Sequence, residues 1–121
     1  MQDKQGQLKS GRVNHSNLNG HLITELELLT SLLEDLNKLY QEVKDLYSQK
    51  DYSEIKQLLL SQTNKNWIDF KNQKAELDAS EFIGLPEYKL VKIRSQIEST
   101  ESYFDYLLKI KARLKEFSFR I

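Results

Sequence analysis

From Leu22 onward, apolar side chains recur at alternating gaps of four and three: Leu22, Leu26, Leu29, Leu33, Leu36, Tyr40, Val43 and Tyr47. This is a heptad seam, the mark of a long helix that buries one side against other helices. Leu32, Leu39 and Leu46 add a flanking row at seven-residue spacing. The combined stripe is wider than a two-stranded coiled coil needs and calls for two neighbouring helices. The pattern predicts a helix over 21–48, roughly 40 Å long at about 1.5 Å per residue. Asn17 or Asn19 is the expected N-cap.

A second helix is expected over 52–79, with Asp51 and Glu54 at capping-box spacing and Ile55, Leu58, Leu59 and Leu60 opening it. Ser61 to Asn66 are polar throughout, and their side chains compete for backbone hydrogen bonds. They mark a kink, a frayed turn or a stretch beside solvent. Trp67, Phe70 and Leu77 then resume the stripe. Ser80 to Pro86 reads as a linker in which Gly84 takes a positive φ and Pro86 enters the first turn of the next helix. Phe82, Ile83 and Leu85 are too apolar for a free loop and are expected to pack over one end of a bundle.

The third helix is expected over 86–117, with two apolar registers. Leu90, Ile93, Ile97, Thr100, Phe104 and Leu107 form the first; Tyr103, Leu107, Ile110, Leu114, Phe117 and Ile121 form the second. The shift turns the apolar face, so residues facing the bundle early need not be those facing it later. The second register is therefore the candidate partner-binding surface. Before the first helix, Met1 to Gly20 are rich in Gly, Gln, Asn and Ser, with few sizeable apolar residues. They are expected to form a disordered polar tail. The expected fold is all-α: one domain over 21–121, an antiparallel bundle of three long helices (a helical hairpin plus a third helix) with coiled-coil-like packing, open to completion by dimerisation.

Charge narrows the partners. Lys plus Arg and Asp plus Glu number 18 each, so no global field attracts nucleic acid or anionic lipid. The basic run Lys109, Lys111, Arg113, Lys115 and Arg120 suits a helix C-terminus by itself. No apolar run has membrane-spanning length, and Lys4, Lys9 and Arg12 precede no apolar segment of the secretory kind. Without cysteine there is no disulfide framework or thiolate metal site, a composition compatible with a reducing cytosol.

Candidate chemistry is sparse. His15 sits in the tail and His21 at a helix start, neither with an orienting partner in sequence. Glu25, Glu27, Glu34, Asp35, Glu42 and Asp45 avoid the heptad seam and lack the Glu-x-x-His pairs of a carboxylate-bridged metal bundle. There is no Gly-rich phosphate loop and no nucleophile motif. The expectation is a protein that is not an enzyme and uses no cofactor.

The stretch from Leu22 to Leu77 resembles the FlgN-type flagellar export chaperones. The matching pieces are the leucine-rich start at Leu22–Leu29, the turn Lys50–Ile55 and the run Leu58-Leu59-Leu60, followed by a third long helix after Leu85-Pro86. The tail before the first helix is longer, and the middle of the second more polar, than that pattern. The resemblance implies a cytoplasmic chaperone holding the disordered, amphipathic terminal segment of a hook–filament junction protein before export. In that family the late helix contributes to client binding, which would map onto Tyr103, Leu107, Ile110, Leu114, Phe117 and Ile121. The alternative is a structural or adaptor coiled coil acting through self-association.

Overall fold

The computed structural model describes residues 15–120, with side chains described for 17–116. The chain is an all-α three-helix bundle: α1 (His15–Ser48), α2 (Ser53–Ala79) and α3 (Tyr88–Arg120). Among the described residues there is no strand. α1 starts at His15, earlier than its heptad seam, and Leu18 is already buried. Residues 15–20 thus belong to α1 rather than to the expected tail; the remainder of that stretch lies outside the described residues.

α1 and α3 run parallel, and α2 runs antiparallel to both. Glu25 meets Arg94 and Glu42 meets Lys111, both across a sequence separation of 69. The constant offset means that the two helices stay in step over nearly five turns. α3 is the shared partner: it packs along both α1 and α2, whereas α1 and α2 touch each other least. The bundle is therefore not a tight α1–α2 hairpin with a third helix added. The physical reason lies in α2. Its polar middle, Ser61 to Asn66, continues unbroken as helix but lies in solvent apart from a half-buried Asn64, and offers α1 little to bury.

α3 presents two interfaces. Arg94 and Lys111 reach α1. Ser95 bonds Asp78 of α2, the Ser99 carbonyl accepts the Trp67 indole N–H, and Tyr103 stacks on Trp67. The buried small residues Ala75 and Ala79 of α2 let the two backbones approach where Ser95 and Ser99 are also buried. The main core gathers Leu36, Leu39 and Val43 of α1, Leu60 of α2, and Tyr103, Leu107 and Ile110 of α3. Burying each large apolar side chain contributes about 1.5–3 kcal/mol. Leu26 of the α1 seam stays 48% exposed, while Leu39 of the flanking row is 4% exposed.

The connections depart from expectation in two places. No capping box forms at α2: the chain turns left-handed at Tyr52 (φ 59°), which becomes the N-cap without a side-chain cap bond. In the linker, a 3-10 turn spans Ser80–Phe82 and Gly84 takes φ 85°, as its sequence predicts. Pro86 sits just ahead of α3, not in its first turn. Phe82 is half-buried, but Ile83 is 71% and Leu85 52% exposed, so two of the three residues expected to cover the bundle end do not.

Candidate partner-binding surface

The described part of the late face of α3, Tyr103 to Leu114, is not open. Tyr103, Leu107 and Ile110 belong to the core, and Leu114 packs against it half-buried. The side chains of Phe117 and Ile121 lie outside the described residues, as does that of Phe119. What sequence reads as one turning face is a wall of the shared core, closed by Leu36, Leu39 and Val43 of α1 and by Leu60 and Trp67 of α2. A partner could reach Leu107 only by prising helices apart.

The open apolar surface lies elsewhere. At the linker end, a cavity of about 520 Å³ has α1 as one wall (Leu18, Leu22), the linker as another (Gly84, Leu85, Pro86) and α3 as its third (Tyr88, Lys89, Leu90). Leu18 and Leu90 are buried, while Leu85 stands at the rim. One turn further along α1, Leu26 continues the line of Leu18 and Leu22, and Ile23 beside it is 59% exposed. The chain places this surface here because the positive-φ turn at Gly84 and Pro86 joins the 3-10 turn ending at Phe82 to α3 at Tyr88 within a few residues, and Ile83 and Leu85 stay outward. The signal in sequence was the apolar linker itself, read as cover and not as contact surface.

The polar groups between α2 and α3 form a latch. Lys74 Nζ lies 2.7 Å from Asp78 Oδ2 and 2.9 Å from Glu98 Oε1, and the Ser95 hydroxyl donates to Asp78 Oδ2 at 2.7 Å. The hydrogen bond to Asp78, then that to Glu98, holds Lys74 above its ordinary pKa. Asp78 is held below the usual carboxylate value, first by Lys74 and then by Ser95. A lysine fixed in its charged form cannot serve as a base, and a serine donating to a carboxylate across a helix seam is not a poised nucleophile. Along α2, the Lys71 ammonium lies 5.0 Å from the Trp67 ring centroid, and burial lowers its pKa.

The other candidates are surface features. His21 is exposed, and the side chain of His15 lies outside the described residues. Of the acidic face of α1, Glu25 and Glu42 bridge to α3, and the Lys111 hydrogen bond holds Glu42 below its usual value. Lys111 of the basic run is thereby used structurally. Among the described residues no group of three or more His, Cys, Asp or Glu could hold a metal ion, and no helix is long and apolar enough to cross a membrane. No family model matches the chain, and no curated protein or solved structure shows significant similarity to it.

Proposed function

We propose that this chain is a non-enzymatic helical binding protein that holds an amphipathic segment of a partner protein at the linker end of the bundle. The observation that carries the reading is the exposure of Ile83 and Leu85, at 71% and 52%, beside a cavity with the buried apolar residues Leu18 and Leu90 in its walls. Apolar side chains presented from a short rigid linker next to a concave site suit a helix laid into a groove. Each partner side chain removed from water there contributes on the order of 1–2 kcal/mol. The likeness of Leu22–Leu77 to FlgN-type proteins gives the reading a concrete form: a cytoplasmic chaperone of flagellar or related type III export, which covers the client's apolar face and prevents aggregation or early assembly.

The test is titration of the purified protein with peptides from the termini of the host's hook–filament junction proteins. Saturable binding is expected, abolished by Ile83→Ser with Leu85→Ser while far-UV circular dichroism stays unchanged. Equal binding by that variant moves the site elsewhere. Binding of none of the peptides removes the export-chaperone reading.

A further inference from the structure

α2 carries a second row whose apolar side chains stay more than half exposed in the single chain. Its apolar members within the helix are Leu59, Phe70 and Leu77, exposed by 56, 57 and 73%; Tyr52, the left-handed N-cap just ahead of α2, is 79% exposed. Lys56, Thr63, Asn66 and Gln73 fill the intervening places, so the row advances by alternating four and three residues. That spacing is a heptad seam on the flank of α2 away from its Leu60–Ala75 side.

Reversed end for end, the row matches itself. About a midpoint between Asn64 and Lys65, Leu59 falls opposite Phe70, Lys56 opposite Gln73 and Thr63 opposite Asn66, while Leu77 falls opposite the turn at Tyr52 that precedes the helix. Apolar meets apolar and polar meets polar at every place. The single charge in the row, Lys56, meets a neutral amide, so no like charges oppose. A two-fold interface demands this property: residue i contacts residue j and j contacts i.

We propose that this seam is a homodimer interface, in which α2 of a second copy packs antiparallel across a two-fold axis between Asn64 and Lys65. Thr63 and Asn66 at the centre fix the register, as single polar residues do in coiled coils. This gives the polar middle of α2 a purpose that packing within one chain does not. Tyr106, 47% exposed, shares a groove with Leu59 and Lys56 and would border the partner helix. With only Leu59, Phe70 and Leu77 apolar in the helical row, the interface sits at the low end for a specific one. The dimer should therefore be weak, with a Kd of roughly micromolar order. The surface is separate from the linker-end site and does not depend on that assignment.

Sedimentation equilibrium of the full chain tests it. A monomer–dimer equilibrium is expected, with Leu59→Glu raising Kd at least tenfold without loss of helicity. The chain has no cysteine, so orientation can be read by disulfide trapping. Lys56→Cys and Gln73→Cys chains, oxidised together, should cross-link to each other. Neither should cross-link alone, because like positions are roughly 25 Å apart in the antiparallel pair. A monomer at all concentrations overturns the proposal. So does a dimer unaffected by Leu59→Glu, or cross-linking of Gln73→Cys with itself.

Discussion

The ring of Trp67 lies on the ring of Tyr103, with centroids 4.6 Å apart and planes 20° apart, and the same indole donates its N–H to the Ser99 carbonyl at 3.2 Å. One side chain of α2 thus fixes both the depth and the rotation of α3. Trp67→Phe keeps a ring for stacking and loses the hydrogen bond. Because the Ser99 carbonyl lies within α3 and can keep its helical bond, the expected loss is about 0.5–1 kcal/mol. Trp67→Ala should cost about 3 kcal/mol, the lower end for an aromatic truncation, since the indole is only half-buried. Urea unfolding followed by circular dichroism measures both. Trp67 is the only tryptophan, so wild-type fluorescence should follow separation of α2 from α3 and coincide with loss of helicity.

Tyr103 also makes the fold sensitive to alkali. Its phenol is 6% exposed, and no described residue bonds its hydroxyl. Burial pushes its pKa up to about 12, with lesser contributions from Tyr40 and Tyr106. The folded state therefore favours the neutral phenol over the ordinary value near 10. This contribution is fully present below about pH 10 and is lost as pH rises toward and through about 12. Tyr103→Phe should be neutral to stabilising by up to about 1 kcal/mol at pH 7, because it removes a buried hydroxyl without a protein partner. It should also flatten the decline between pH 10 and 12 by on the order of 2 kcal/mol. Equal slopes for the two proteins would show that the phenol is hydrated in the folded state.

Much of this architecture is legible in the sequence. The heptad rows of α1, the positive φ at Gly84 and the division into three long helices follow from periodicity and from residues with one strong conformational preference. The assignment of neighbours is not legible in the same way. Periodicity reports which residues a helix must bury, not what buries them. A helix with two apolar registers looks the same whether its face turns toward a client or it sits between two partners. Tyr103, Leu107 and Ile110 fell on that ambiguity. Ser95 and Ser99 were the unread signal, since small polar residues in line on a long helix permit close approach of another backbone. Ile83 and Leu85 failed as predicted cover because the short linker, not hydrophobicity, decided where they point.

The core assignment of α3 separates folding from binding. Leu107 is fully enclosed, and Leu107→Ala should destabilise by about 3–5 kcal/mol, combining lost transfer energy with a cavity. Leu107→Ser should largely unfold the chain. Ile83→Ser, at a position 71% exposed, should change stability by no more than about 0.5 kcal/mol. Thermal melts of the three variants decide this. A Leu107→Ser protein that melts like wild type would reopen the late face of α3 as a partner surface.

Tyr52 offers a substitution whose two effects have opposite signs. Among the described residues it is the non-glycine position with positive φ, and its side chain is 79% exposed. A left-handed backbone costs an L-residue about 1 kcal/mol or more, whereas glycine adopts it without a Cβ penalty. Tyr52→Gly should stabilise the monomer, by about 0.5–1 kcal/mol once the added freedom of the unfolded chain is subtracted. Tyr52 also lies just ahead of α2, at the end that Leu77 of a second copy would reach. The same substitution should therefore weaken self-association several-fold. Melting at concentrations well below the dimer Kd should show the gain; sedimentation at high concentration should show the loss. A seam without a partner yields the first effect alone, and no stabilisation at any concentration would mean that the loop escapes its left-handed turn in solution.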